Sequence, residues 1–251
     1  LALRLAGMAD SITLEYFQSR AFTLSHKADD TEVTQADQET EKVLRDALMS
    51  MRPADGVYGE EFGTTGPQDS GYIWVIDPID GTSNFARGVP VWATLIALVD
   101  RSRGPMLGVV SAPSLHRRWW AANGSGAYAN GRAIGVSRTN SLAHSHISVT
   151  FGAGWERLGL TPVLVDLQRS CARSRGFGDF WQHMLVAEGA LDIAVDAVGL
   201  APYDNAAIQA IVEEAGGRHT DRFGVRDYEQ DSAITSNGLL HDEVIARLAL
   251  S

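Results

Sequence analysis

The sequence predicts a layered fold, α+β over residues 1–137 and α/β over 138–251, closed into one compact unit with two halves. Two patterns carry this reading. Between Tyr72 and Ala122 apolar strand-like runs follow one another with no helical period between them, as in a meandering sheet. After about residue 152, helical and strand-like segments alternate. No low-complexity linker, internal repeat or charge block divides the chain.

Leu5, Met8, Ile12 and Tyr16 recur at helical spacing and predict an opening amphipathic helix. Thr34 suits an N-cap for a second helix, Gln35 to Met51, with Leu44, Ala47, Leu48 and Met51 on one face and Pro53 behind it. Tyr72 to Ile76 reads as a buried strand stopping at Asp77-Pro78, because proline cannot donate to a sheet ladder. Further strands are expected at Trp92–Val99, Met106–Ser111, Arg118–Ala122 and Ile147–Phe151. In the second half, helices are expected over Trp155–Ser170, Phe180–Glu188, Asp204–Ala215 and Leu240–Leu248. Strands lie near Leu191–Val195 and Ser232–Thr235, and Gly216-Gly217 is a strong helix stop.

The 251 residues hold 31 acidic and 21 basic side chains, a formal charge of −10. This balance argues against nucleic acid, whose phosphates need clustered Lys and Arg. It allows either a solubilising surface or carboxylates concentrated at one site. No apolar run approaches the roughly 20 residues of a membrane span. The single cysteine, Cys171, leaves no internal disulfide and fits a cytoplasmic protein. Leu1–Leu14 lacks a signal-peptide pattern, and the missing initiator Met points to a short stretch removed or left out.

Chemistry concentrates in Ile76-Asp77-Pro78-Ile79-Asp80-Gly81-Thr82. Two acids flank a proline at the end of a buried strand, where α/β folds commonly hold ligands. Both carboxylates and the Ile79 carbonyl suit one hard cation such as Mg²⁺. Gly81 and Thr82 add an unhindered N–H and a hydroxyl for a phosphate or an activated water, and a helix starting here would favour an anion. Three weaker signals accompany it: Glu60-Glu61; the acid-rich string Lys27–Glu41 that includes Asp37; and Tyr203-Asp204-Asn205-Ala206-Ala207. Taken singly, these read as a polar edge, a capped helix and an N-cap.

Together, in this order, the four blocks resemble the inositol monophosphatase superfamily of Mg²⁺-dependent, Li⁺-sensitive phosphatases, over nearly the whole chain from Lys27 to His241. Gly108 to Pro113 and Asn123 to Gly131 match as well. Tyr203 stands where the family usually has Trp, and Glu32 where it usually has Pro; both bear on packing more than on chemistry. The resemblance implies an alternating α-β-α-β-α sandwich and a homodimer. It also implies two or three Mg²⁺ ions. Glu60, Asp77 and the Ile79 carbonyl would hold the first, and Asp77, Asp80 and Asp204 the second. A third would sit by Glu60 through waters reaching Asp37. Thr82 and Glu60 would orient the attacking water, with no protein nucleophile.

The haloacid-dehalogenase motif, Asp-x-Asp-Gly-Thr, fails on spacing, since here the acids are three residues apart. Gly124-x-Gly126 lies among hairpin signals rather than at a strand entering a helix, so a dinucleotide site is not expected. His144-x-His146 lacks a third ligand and reads as exposed histidines.

For the substrate, Asp179 and Asp196 would face an ester with a cationic alcohol portion, with Arg175 contacting phosphate or holding Asp179. Asp179 reads equally well as the N-cap of Phe180–Glu188. The segments Gly88–Leu98, Ser111–Ala121 and Gly178-Asp179-Phe180 are similar to actinobacterial histidinol-phosphate phosphatases, which implies hydrolysis of L-histidinol phosphate. An inositol or sugar-alcohol phosphatase of the same fold is the alternative, and a catalytically silent metal-binding homologue the third. Arg117, Arg118, Trp119 and Trp120 read as strand packing or a dimer surface.

Overall fold

A computed structural model of the chain describes residues 1–27, 31–67 and 69–249. Ala28, Asp29 and Asp30 of the acid-rich string lie outside the described residues. In chain order the elements are α1 (Ala2–Ser19), the paired strands β1 (Leu24–His26) and β2 (Glu32–Thr34), α2 (Gln35–Met51), β3 (Gly56–Gly59) and β4 (Gly63–Thr65). Next come β5 (Tyr72–Asp80), α3 (Thr82–Arg87), β6 (Ala93–Asp100), β7 (Gly104–Ala112), β8 (Arg117–Ala122), β9 (Ala127–Ala129) and β10 (Arg132–Ile134). The second half holds β11 (His146–Val149), α4 (Ala153–Arg157), α5 (Thr161–Ser170), β12 (Arg173–Arg175) and α6 (Asp179–Ala187). It closes with β13 (Ile193–Val198), α7 (Pro202–Glu214), β14 (Arg218–Thr220), β15 (Ser232–Ser236) and α8 (His241–Ala249).

Among the described residues an eight-stranded sheet runs β10-β9-β8-β7-β6-β5-β3-β4 and a five-stranded sheet runs β12-β11-β13-β15-β14. The period of two along β5 decides what lies on each face. Trp74 and Ile76 pack with Leu5, Ala9, Leu44 and Leu48 of α1 and α2. Ile73 and Val75 pack on the opposite side with Phe180 and Met184 of α6 and Ala207, Ile208 and Ile211 of α7. Beyond α6 lies the smaller sheet, whose outer face packs Ile147, Ile193, Val195 and Ile234 against Leu164, Leu167 and Val244 of α5 and α8. The layers therefore alternate α-β-α-β-α, as the resemblance implied. Gly108 permits the close approach of α7 to β7, since a Cβ there would stand 2.3 Å from the Ala207 carbonyl oxygen.

Two departures from the sequence reading bear on the architecture. The helix expected over Trp155–Ser170 is two helices, because Gly159 adopts φ +72° and ends the first. The strand expected to stop at Asp77-Pro78 continues to Asp80 through a bulge against β6. Proline's missing N–H is tolerated at a bulge, where the ladder is already interrupted. The turn holding Gly124 and Gly126 links β8 to β9, and both N–H groups donate to the Glu214 carboxylate (2.8 Å each), so it is a hairpin anchored to α7. His144 and His146 are exposed.

Arg117 pairs with Glu188 and lies over Trp119, while Arg118 pairs with Asp10. Trp120 stacks on Tyr128. These contacts give the segment a packing role within the chain.

Candidate active site

The bulge in β5 sets the geometry. Residues i and i+3 of a regular strand point to opposite faces. Asp77 pairs with Leu95 and Asp80 with Ala93, so three steps on β5 match two on β6. The extra residue returns Asp80 to the face of Asp77, which is the face carrying α7. Asp204, in the first turn of α7, meets them there, and one carboxylate oxygen from each of the three lies within 4.8 Å of the others.

Asp204 combines two roles that its sequence position left as alternatives. Its Oδ2 accepts the Ala201 N–H (2.7 Å), capping α7, and leaves Oδ1 for the cluster. Asp37 repeats the device at the start of α2. Its Oδ2 accepts the Thr34 N–H (2.8 Å) and hydroxyl (2.6 Å), while Oδ1 lies 3.2 Å from the Thr82 hydroxyl. That hydroxyl also stands 3.0 Å from the Ile79 carbonyl, and its one proton serves either acceptor. Asp80 Oδ2 accepts the Phe180 N–H of α6 (2.7 Å).

Electrostatics mark the cluster as incomplete. Asp77 is buried, and its Oδ1 has no hydrogen-bond partner. Burial first, then Glu60 and Asp80, hold its carboxyl well above the ordinary range. Asp80 is raised in the same way by burial, Asp179 and Asp204. Burial lifts both Asp204 and Asp37 to about 7. Carboxylates gathered this closely with an orphaned oxygen suit a hard divalent cation, which takes oxygen ligands and offsets their repulsion.

Glu60 leaves the end of β3 beside β5, its N–H donating to the Ile76 carbonyl (3.2 Å). Its carboxylate is paired with Lys27 at 2.8 Å, and the same ammonium reaches Glu61. The turn carrying this acid pair is held by Glu41, which the sequence reading passed over as one more helix acid. Buried Glu41 accepts the Glu61 N–H (2.7 Å), the Phe62 N–H (3.2 Å) and the Arg45 Nε–H (2.7 Å). Gly59 is required beside it, since a Cβ would stand 2.2 Å from Glu41 Oε1. The available signal was helical spacing, because Asp37, Glu41 and Arg45 are four apart on one face of α2.

Gly81 takes φ +84° between β5 and α3, a conformation that glycine adopts at little cost. A Cβ there would lie 3.4 Å from Asp179 Oδ2. Asp179 is therefore at the site, half-buried and in left-handed backbone at φ +47°. It is not the N-cap of α6, which is Gly178. Asn84, also missed from sequence, donates to Asp179 Oδ2 (3.0 Å). Arg175 does not hold Asp179. It sits exposed on the edge strand β12, with its guanidinium on the Ser174 carbonyl, and among the described residues makes no ion pair. Asp196 is buried on β13, bound to His183 Nε2 (2.7 Å) and to the Ala197 N–H (2.7 Å). Tyr203 fills the position of the family's Trp by packing on Tyr58, with ring centroids 5.9 Å apart.

The chain matches the inositol monophosphatase family model over residues 1–250. It is 46% identical to a histidinol-phosphatase of Mycobacterium tuberculosis, covering 99% of this chain and 96% of that protein. It is 43% identical to a histidinol-phosphatase of Streptomyces coelicolor, covering 99% and 95%. Its fold is similar to that of the extragenic suppressor protein suhB from Bartonella henselae, with a TM-score of 0.90 at 28% identity over 98% of this chain and 96% of that one. Both the aligned sequence and the fold thus extend across both halves, and the chain belongs to the inositol monophosphatase family.

Proposed function

We propose that this chain is a Mg²⁺-dependent phosphomonoesterase that hydrolyses L-histidinol phosphate to L-histidinol and inorganic phosphate, with residues 1–251 acting as a single domain. The observation that carries the reading is the convergence of Asp77, Asp80 and Asp204 around an unpartnered, buried Asp77 oxygen. The choice of ester is supported by the two histidinol-phosphatases that resemble the chain over nearly their full length.

Glu60, Asp77 and the Ile79 carbonyl would hold one Mg²⁺ and Asp77, Asp80 and Asp204 a second, and a third would be shared by Glu60 and Asp37 through water. When bound, these ions would acidify a water and neutralise charge on the leaving oxygen. The protein groups do the positioning. The Thr82 hydroxyl, between Asp37 and the Ile79 carbonyl, can donate its hydrogen bond to either and accept a hydrogen bond from the attacking water. Glu60 orients the same water once its bond to Lys27 is released. The N–H groups of Gly81 and Thr82 receive phosphate oxygens. Asp179, held by Asn84, offers a negative charge to the amine or imidazole of histidinol.

Phosphate release with Mg²⁺ from histidinol phosphate and from inositol 1-phosphate, measured side by side, tests this reading. Preferred turnover of histidinol phosphate is expected. Turnover of inositol phosphate alone would leave the phosphatase and remove the substrate assignment. No turnover of either would sink both.

A further inference from the structure

Beneath the site, five buried polar side chains form a chain of hydrogen bonds from α7 to β13. Asn205, next to the cluster residue Asp204, directs its Nδ2–H groups at the carbonyls of Ala201 (3.3 Å) and Gln230 (3.1 Å). Its Oδ1 therefore faces His219 Nε2 (3.3 Å) and only accepts. His219 Nδ1 meets Thr235 Oγ1 (2.7 Å), and the same oxygen meets His183 Nδ1 (2.7 Å). His183 Nε2 ends the chain on Asp196 Oδ2 (2.7 Å).

One hydrogen per bond fixes the direction of every link. Asn205 Oδ1 needs the proton on His219 Nε2. His219 is neutral, because burial depresses its pKa far below the ordinary histidine value, so its Nδ1 is bare. Thr235 must give its one proton to that nitrogen, and can then only accept from His183 Nδ1–H. With Nδ1 already protonated, a further proton has to lie between His183 Nε2 and Asp196 Oδ2. The pair is then imidazolium with carboxylate, or imidazole with carboxylic acid. Both have zero net charge. Asp196 Oδ1 accepts the Ala197 N–H, consistent with either form.

We propose that His183 neutralises Asp196, so that Asp179 alone supplies the negative charge that selects the alcohol portion of the ester, and His183 acts as a positioning residue. This rests on the reading that the substrate alcohol is cationic. It withdraws Asp196 from the acidic rim expected from sequence, because a charge cancelled at 2.7 Å presents only a dipole to the substrate. Asp179 has only the uncharged amide of Asn84 as its side-chain partner among the described residues, and burial raises its carboxyl to about 6, so above that pH it has a negative charge to offer. The relay ties α6, α7, β13, β14 and β15 together, so it also fixes the floor behind the Asp204 carboxylate.

The test compares the kcat/KM ratio of histidinol phosphate to inositol 1-phosphate in wild type, Asp179→Asn and Asp196→Asn. Asparagine at 196 retains an acceptor for the Ala197 N–H and can donate to a bare His183 Nε2. The ratio is expected to fall about tenfold or more in Asp179→Asn, the scale of one charged hydrogen bond, and to stay within about twofold in Asp196→Asn. An equal fall in both variants, or none in Asp179→Asn, would overturn the assignment. Histidine ¹⁵N NMR of the wild-type protein gives a readout independent of turnover. His183 should carry a proton on Nδ1, and His219 only on Nε2. A bare Nδ1 on His183 would leave Asp196 an anion and refute its neutralisation. If wild type shows no preference for histidinol phosphate, the substrate reading fails, and the NMR pattern still decides whether Asp196 is neutralised.

Discussion

Asp77 and Asp80 stand three residues apart on β5 and yet face the same side, because the bulge between them absorbs one residue against β6. Pro78 and Ile79 are thus as necessary to the cluster as the two acids. Pro78 interrupts the ladder, and the Ile79 carbonyl is left beside the Thr82 hydroxyl. Burying Asp77 with one oxygen unpartnered costs the metal-free fold stability that a bound cation restores.

Asp77→Asn should therefore raise the stability of the metal-free protein, because an uncharged amide escapes the burial and the Glu60 and Asp80 charges that oppose the carboxylate. The same change should cut Mg²⁺-dependent phosphate release by at least about a hundredfold, at or above the usual cost of disturbing a metal site. Chemical denaturation without metal, set beside a phosphate-release assay, checks both halves.

The stabilising effect of Mg²⁺ should depend on pH. Folded Asp37 and Asp204 keep their protons to about 7, whereas the unfolded chain releases them near the ordinary carboxylate value of about 4. Their contribution is fully present below that lower value and is lost as pH rises to about 7. Buried His219 and His241 act in the opposite sense. Both are depressed, His241 to about 4, so their contribution is lost as pH falls below the ordinary histidine value. Cation binding displaces only the carboxylate protons. The Tm increment from saturating Mg²⁺ should therefore grow from about pH 5 to about pH 8, and a flat increment would contradict this account.

Gly59→Ala should drive a methyl group into Glu41 and loosen the turn carrying Glu60 and Glu61. A loss of about 1–3 kcal/mol is expected from overpacking. The Mg²⁺ concentration for half-maximal activity should also rise. Titrating Mg²⁺ into the variant separates this from simple destabilisation, because wild-type half-saturation would leave Glu60 outside the metal site.

Asn84→Ala should release Asp179 from its only side-chain donor among the described residues. KM for histidinol phosphate is expected to rise about tenfold, the scale of one hydrogen bond to a charged group. Hydrolysis of inositol 1-phosphate, which offers Asp179 no cation, should change little. Parallel losses on both esters would make Asn84 a support for the Gly81 turn instead.

The sequence by itself determined which residues are the candidates for the chemistry and the order of most of the elements they sit on. Asp77-Pro78-Ile79-Asp80 and Asp204 were legible because each motif is local: a proline, a glycine and acids within a few positions prescribe a tight turn at a strand end or a capped helix start. Apolar patterning likewise foretold α2, from residues on one helical face, and β5, from a continuous apolar run. It could not foretell the break at Gly159 or the extension of β5 past Pro78, since both depend on what the neighbouring strand or helix tolerates.

Only the tertiary structure decided the partnerships. Asn84 meets Asp179 across 95 residues, His183 meets Thr235 across 52, and Glu41 grips a turn 20 residues downstream. Such contacts leave no local period, because they are made by packing layers together. Charge followed the same division. The sequence supplied an acidic surplus, and the fold sorted it into a cluster that suits metal, an exposed surface, and one carboxylate cancelled by a buried histidine. The physical reason is that a side chain's type is local, whereas its burial and hydrogen-bond partner are set by chain segments far away in sequence.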